Sequence, residues 1–504
     1  MNESRVLPPF YRRLWFKGSL LFGVVLLVFL LTERIRGEYA LASWKREMAT
    51  KGERFDYREL TRTNVPFDLE AQREHTKAST NWSSPITGAV IDAPVSMRLL
   101  SPGFCSTVLD DDSWTNDSGK RVDWKAYEKA IQPFSNAWTI ANRVVLHQSI
   151  RTQIDFKDGF ETLLPQLPRL KRHVMMANRM GLADLKMGRI EAAIDSMRGV
   201  FSIVEQQKDE TIAITELVRI AELAIIYRTI WCGVETRRFS SDQLAVLQGE
   251  LSRINLMRDM ANGLRMERAV GLVEFRKLRD GRTTLPTMLD NFGIGETQGA
   301  TYSEIISNFF TRNVLGVIWK YVWLSHDELA YMQLLQHRID QCEKTGPAWN
   351  PNEETLAKPF NKGLTLGGIP LRFYDRWRYR LTSTSLPGLE KISFKAARMQ
   401  AQINLAIVAC GLHRYQNEHN NYPDLLINLN PRFLSVIPID PLDGQPLRYK
   451  RIGAKQFLLY SVGDDQKDDG GNGNLLVEPK KGQVPQPFNT VDLLWPMRTN
   501  RVVF

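Results

Sequence analysis

Catalytic signatures are missing from this 504-residue chain. No GxSxG, HExxH, GxxxxGK(S/T) or protein-kinase motif occurs, so the chemistries that those motifs mark find no support. Cysteine is scarce. Cys105, Cys232, Cys342 and Cys410 stand far apart with no CxxC pair, which argues against a cysteine zinc site. Cys232 and Cys410 lie in helical apolar patterns and read as buried small hydrophobes, and spacing alone does not support a Cys105–Cys342 disulfide outside the cytoplasm. The seven histidines are scattered; His413 and His419 share one helix but not one face, and read as surface residues. The net charge of +10 is spread thinly, whereas nucleic-acid binding needs a clustered basic face. The one dense basic cluster, Arg372–Arg380 (RFYDRWRYR), reads as a solvated surface with arginines covering aromatic rings.

Long hydrophobic runs are limited to one. Gly18–Thr32 is uncharged throughout (GSLLFGVVLLVFLLT), and Leu14, Trp15 and Phe16 extend it. At about 1.5 Å per residue it approaches the ~30 Å hydrocarbon core of a bilayer. Arg5, Arg12, Arg13 and Lys17 precede it, while Glu33, Arg34, Arg36 and Glu38 after it cancel. The positive-inside rule then puts the N-terminus in the cytoplasm and the bulk of the chain outside it. Ala40-Leu41-Ala42 has the small-x-small form of a signal-peptide cleavage site, but charged residues separate it from the run. An uncleaved anchor is therefore expected, in the bacterial cytoplasmic (inner) membrane. Val314–Leu324 is too short for a second span and carries Lys320, so it is expected to pack into the protein.

After the anchor, Glu38 to about Arg73 is charged, with helical character and little core, and reads as a stalk. Thr80–Gly119 is rich in Ser, Pro, Asp and Gly and reads as loops; its acidic cluster Asp110, Asp111, Asp112 and Asp117 is expected to be a solvated loop, and Asn81-Trp82-Ser83 and Asn116-Asp117-Ser118 match the common glycosylation pattern by chance. Arg169–Arg279 is strongly helical. Leu182–Val200 resembles one tetratricopeptide-type hairpin, with Gly188 at the turn, but no 34-residue repeat accompanies it. Helices follow over Asp209–Val234 and Ser241–Lys277, the latter with Ser241-Asp242 as its cap. Thr345–Pro370 is rich in glycine and proline and reads as a linker.

The most specific order of signals lies in Leu386–Gly473. Ile392, Ala396, Met399, Ile403, Ala406 and Cys410 step by three and four, the seam of a helix running about Gly388–Glu418. Asn420-Asn421 before Tyr422-Pro423 ends it. Leu425, Leu426 and Leu429 form a short second helix, a proline-rich loop follows, and Leu447–Lys450 with Gln456–Ser461 read as a hairpin around Gly453.

This order resembles the soluble domain of the major pseudopilins of bacterial type II secretion. The residues that carry the resemblance are Tyr415 with Tyr422-Pro423, the turn DPLDGQP (Asp440–Pro446), and Ser461, Gly463 and Asp465 after the last strand. The family's processed N-terminal helix is absent. The whole chain looks like large membrane-anchored proteins of unknown function from planctomycete- and verrucomicrobia-like bacteria. The resemblance implies calcium in the acidic loop, where Asp464, Asp465, Asp468 and Asp469 lie beside Gly470, Gly471 and Asn472; calcium takes six to eight oxygen ligands of this kind.

The expected fold class is mainly α: a single N-terminal transmembrane helix, a helical-hairpin (tetratricopeptide-like) middle domain and an α+β pseudopilin-like C-terminal module. The expected division is a basic tail (1–17), anchor (18–33), stalk and loop-rich region (34–165), helical domain (166–345), linker (346–385), module (386–485) and tail (486–504). The function expected is that of an envelope structural or interaction protein, not an enzyme, linked by the resemblance to type II secretion or cell-envelope assembly. Its expected partners are the lipid bilayer through residues 18–33 and envelope proteins, with no nucleic acid. The alternative is an extracytoplasmic hydrolase using paired carboxylates, which sequence alone does not reveal.

Overall fold

A computed structural model describes residues 14–61, 67–83, 97–101, 103–115, 121–208, 210, 212–291, 314–344, 365–366, 369–370, 374, 377–389, 392–463, 465–472 and 492–498. The protein is mostly helical, with one long apolar N-terminal helix and a few small strands.

Helix α1 spans Leu14–Thr50, 37 residues without a break and about 55 Å long. Its most apolar window has a mean hydropathy of 2.0 and is not buried at all, so the helix is long and apolar enough to cross a membrane. Past Thr32 the same helix packs on the folded body. Leu41 and Met48, one heptad apart, are buried, Leu41 in a small core with Leu272 and Met332. Lys45 pairs with Glu328 at 2.6 Å. The stretch that reads as a free stalk is therefore docked along much of its length. Its apolar seam is narrow and interrupted by charge, which composition conceals.

Short helices α2 (Tyr57–Leu60) and α3 (Leu69–Ser79) lead to a region with small antiparallel pairs: β1 (Met97–Ser101) with β2 (Phe104–Thr107), and β3 (Ser113–Thr115) with β4 (Arg121–Asp123). Helices α4 (Trp124–Ile131) and α5 (Ser135–His147) follow. The helical centre comprises α6 (Gln166–Met187), α7 (Ile190–Gln207), α8 (Ala213–Glu235), α9 (Ser241–Ser252) and α10 (Leu256–Asp280). Helices α6 and α7 turn at Gly188, whose φ of 75° is the left-handed conformation that glycine adopts freely. The stretch Ser241–Lys277 is two helices rather than one. Asn255 accepts from the Arg258 N–H and starts α10 anew, while Ser240, not Ser241, caps α9 in a capping box with Gln243. Helix α11 (Leu285–Asn291) ends this part.

Residues 314–323 form a short mixed α/π helical segment that runs into α12 (Leu324–Glu343). Helix α12 lies against α10, tied near both ends by Arg279–Glu328 (2.7 Å) and Arg265–Glu343 (2.5 Å). A two-residue pair, β5 (Thr365–Leu366) with β6 (Ile369–Pro370), precedes α13 (Arg380–Leu389). Asp327, fully buried, accepts from Trp319 Nε1 at 3.0 Å and from the Leu381 and Thr382 N–H groups at 2.8 and 3.0 Å. It thereby joins three segments.

Helix α14 (Ile392–His419) is about 42 Å long. Its six-residue seam is buried as the stepping requires, yet so is every residue from Ala401 to His413. The reason is packing on two sides: α8, α9 and α10 cover one, and the sheet and the 3-10 turn Leu426–Leu429 cover the other. In that sheet β7 (Arg448–Gly453) and β8 (Gln456–Ser461) form the expected hairpin, with Tyr449 opposite Leu459. A third strand, β9 (Leu493–Trp495), comes from the stretch expected to be a tail and pairs antiparallel with β8. Immediately after it, β10 (Met497–Arg498) pairs parallel with β2. The C-terminal sheet and the small N-proximal sheet are thus sewn together by consecutive strands.

Candidate functional site

The acidic loop follows β8. Asp464 lies outside the described residues. Asp468 accepts from the Gly470 N–H (2.9 Å) and Tyr460 OH (2.9 Å), and Arg448 Nε lies 3.5 Å away. The Gly470 bond, followed by the Tyr460 and Arg448 contacts, holds its carboxyl below the usual range. The Asp465 carboxylate caps the Lys467 N–H at 3.2 Å. Asp465 and Asp469 form no ion pair among the described residues. Buried Asp492 closes the loop from beneath, accepting from the Gly471 N–H (2.8 Å) and the Asp469 N–H (3.4 Å). Two unpaired carboxylates are hard oxygen donors of the type calcium takes. Among the described residues, however, no three His, Cys, Asp or Glu side chains converge as a ligand set. Arg448 meets part of the charge instead, reaching Asp440 (3.5 Å) and Asp443 as well as Asp468.

The two motifs quoted separately from the sequence, DPLDGQP and S-x-G-x-D, are one unit in space. Asp440 is fully buried and accepts from Ser461 Oγ (2.9 Å) and from the Val462 and Leu442 N–H groups (both 3.0 Å). Burial pushes its carboxyl up to about 6, against the pull of these bonds. Asp440 therefore staples the turn to the end of β8. This is a structural task rather than a catalytic one.

A second polar cluster was not foreseen. His413, expected on the surface, is buried, and its Nε2 lies 3.0 Å from Glu235 Oε1. Trp495 Nε1 donates to the same oxygen at 2.6 Å, and Tyr422 OH lies 3.4 Å from His413 Nδ1. One turn earlier on α8, Trp231 Nε1 donates to the Pro496 carbonyl at 3.0 Å. Spacing on α14 alone does not reveal this, because a partner on another helix decides whether a histidine is buried.

A hydrolytic cleft needs two carboxyl groups with different proton affinities. One groove, of about 710 Å3, is lined mostly by apolar residues such as Phe156, Leu163, Leu167 and Ile214, with Lys171 its basic residue and Glu267 its sole carboxylate. Burial raises that carboxyl to about 7, and its hydrogen bond from the Ala213 N–H at the start of α8 opposes the rise. Since Ile212 has no capping side chain, Glu267 serves as the cap. A smaller cleft of about 340 Å3 contains Glu53, Asp340 and His337. Gln336 Nε2 donates to both carboxylates, at 3.3 and 2.8 Å. Burial alone would raise the Glu53 carboxyl, but Arg268 and Arg265 outweigh it and hold it below the usual range. It is thus a poor proton donor.

The remaining candidates are settled locally. All four cysteines are buried and free, so Cys105 and Cys342 are not bridged. Asp110 pairs with Arg498 on β10, while Asn116 and Asp117 lie outside the described residues. In the basic cluster, Arg378 lies over the rings of Tyr374 and Tyr379, and Arg380 over Trp377, all within 6 Å. Arg378 is nevertheless mostly buried, 3.5 Å from Glu33.

Comparison with protein-family models, with curated proteins and with solved structures finds no match to this chain.

Proposed function

We propose that this chain is a single-pass protein of the bacterial cytoplasmic membrane, with its bulk outside the cytoplasm, and that it acts as a structural or interaction protein of the cell envelope rather than as an enzyme. The observation that carries the reading is the continuity of α1. One helix runs from an exposed apolar half into a half clamped on α12, so a bilayer-embedded segment and the folded body are a single rigid element.

A link to type II secretion or envelope assembly rests on the pseudopilin-like order of motifs in 386–485. The packing of α14 between the central helices and the sheet favours a built-in module over a filament subunit, since its apolar faces are already covered.

Cysteine labelling tests the topology. Because the native cysteines are buried, a membrane-impermeant maleimide should label Ile452→Cys in intact spheroplasts and Ser4→Cys only after permeabilisation. The reverse pattern would sink the placement. Calcium at Asp464, Asp465, Asp468 and Asp469 is tested on the full chain in detergent. A bound ion raises the melting temperature by mass action, and Asp465→Ala or Asp469→Ala should diminish that rise while Asp424→Ala should not. Equal melting temperatures in calcium and in chelator would remove the metal from the reading.

A further inference from the structure

The apolar run of α1 ends close to the folded body. Leu14–Thr32 covers about 28 Å at 1.5 Å per residue, close to the ~30 Å hydrocarbon core. The folded body reaches down to the end of this run. The Tyr374 ring lies 6.2 Å from Phe29 and 5.3 Å from Trp323, and its hydroxyl donates to Glu33 at 2.7 Å. Glu33 is itself buried, with His326 and Arg378 each 3.5 Å from its carboxylate and Arg36 at 2.6 Å. The charge that ends the apolar run is thus absorbed by protein, and residues 319–323 are packed beside α1.

Those residues have two faces. Trp319 and Trp323 are buried, whereas Val314, Val317 and Tyr321 are 41%, 54% and 58% exposed. Spaced by three and four, the exposed three form one apolar stripe. Beside the stripe is a recess of about 170 Å3 lined by Arg34, Glu38, Arg279, Lys320, Tyr321, Val322, Leu324 and Ser325. Arg34 is shared with Glu38 at 2.9 Å, and Arg279 with Glu328 at 2.7 Å. Lys320 forms no ion pair among the described residues; its Nζ sits 5.7 Å from the Tyr321 ring centroid. Arg34 comes two residues after Thr32, about 3 Å further along the axis. That is the depth at which headgroups begin.

We propose that residues 314–323 and the first turn of α1 beyond its apolar run form a second membrane contact, with Val314, Val317 and Tyr321 entering the outer leaflet and the phosphate of an anionic phospholipid seated between Arg34, Arg279 and Lys320. This rests on the membrane-anchor reading above. The stripe adds a second exposed apolar surface beside that of α1. Tyrosine is suited to the boundary because its ring is apolar and its hydroxyl polar, and a basic side chain near an anionic surface is attracted to it. Two contacts at different points on a rigid body fix its orientation on the membrane, which one helix alone leaves free to swing.

The test uses the full chain in vesicles of phosphatidylcholine, with and without phosphatidylglycerol, that contain lipids bearing a nitroxide in the acyl chain. Cysteine is introduced singly at Leu21, Val317 or Ile452 and labelled with bimane. The expected result is loss of fluorescence at Leu21 and Val317 and none at Ile452. Phosphatidylglycerol should deepen the loss at Val317, and Lys320→Glu should abolish that deepening. Quenching at Leu21 with none at Val317 would overturn this proposal and leave the anchor intact. No quenching at Leu21 would overturn the anchor reading and this one with it. A phosphatidylglycerol effect unchanged by Lys320→Glu would overturn the phosphate site alone.

Discussion

The Glu235 carboxylate meets the His413 imidazole at 3.0 Å, across the seam where α8 packs on α14. The same carboxylate oxygen receives Trp495 Nε1. A group in the C-terminal helix and one in β9 therefore share a single buried acceptor supplied by the central helices.

That sharing predicts a large cost for breaking it. Removing one partner of a buried hydrogen bond leaves the other unsatisfied, which costs about 1–3 kcal/mol. His413→Ala and Glu235→Ala should each lower stability by about this much, and the double variant by much less than the sum. Urea unfolding in detergent measures it. Additive losses would mean that the two residues do not act as a pair.

Two glycines at helical positions should respond in opposite ways. Gly249 in α9 has nothing within 4 Å of the place a Cβ would occupy, and is exposed. Gly249→Ala should stabilise by about 1 kcal/mol through helix propensity. At Gly271 in α10 a Cβ would run into the Tyr331 ring of α12. Gly271→Ala should destabilise by about 1–3 kcal/mol through overpacking, despite the same propensity gain. Melting temperatures that rise for both would disprove the tight α10–α12 approach.

Glu222 is buried on α8 and accepts one bond from Gln207 Nε2 at 3.3 Å. Burial pushes its carboxyl from 4.5 up to about 8. Between those values the folded chain holds a proton that the unfolded chain releases, so its contribution to stability falls as pH rises. Glu222→Gln should therefore be more stable than the parent at pH 8, with the difference vanishing towards pH 4.5. A difference independent of pH would show that the carboxyl is ionised in the fold.

The opposite slope is expected from His75 and His173, whose rings face each other with Nε2 and Nδ1 3.1 Å apart. Trp82 and Trp138 flank His173, with ring centroids at 5.7 and 4.9 Å. Burial, then the nearby Arg169 charge, lowers His75 from 6.5 to about 3; burial, then His75, lowers His173 well below 6.5. Below pH 6.5 the unfolded chain takes up protons that the folded pair refuses, so stability is lost as pH falls from 6.5. Converting both to Gln should flatten the melting-temperature profile between pH 6.5 and 4.5. An unchanged profile would place the acid lability elsewhere.

Much of the helical framework was legible because it depends on local periodicity. The seam Ile392–Cys410, the turn at Gly188 and the β7–β8 hairpin each follow from spacing or from one residue's backbone freedom. What escaped reading depends on partners distant in sequence. Leu41 and Met48 look like isolated apolar residues in a charged stretch until α12 is beside them. His413 has no signature until Glu235 and Trp495 arrive. Glu33 counts as one charge in a cancelling flank, yet it is buried by Tyr374, His326 and Arg378. The break at Asn255 escaped because the apolar period on either side is nearly in phase. In the acidic loop the carboxylates were visible, but not that Arg448 already answers Asp468.

The placement of β9 and β10 has a consequence for synthesis. Ribosomes deliver the chain from its N-terminus, so α1 is complete while the partners of β2 and β8 have yet to be made. Until residues 493–498 emerge, the edges of β2 and β8 stand open, Glu235 and Trp231 lack their tryptophan and carbonyl partners, and α14 has only part of its cover. Open strand edges invite pairing with other chains. A chain stopped before Asp492 should therefore accumulate as an aggregation-prone intermediate. Completion of this fold is decided by the last strands to be made rather than by the first helix.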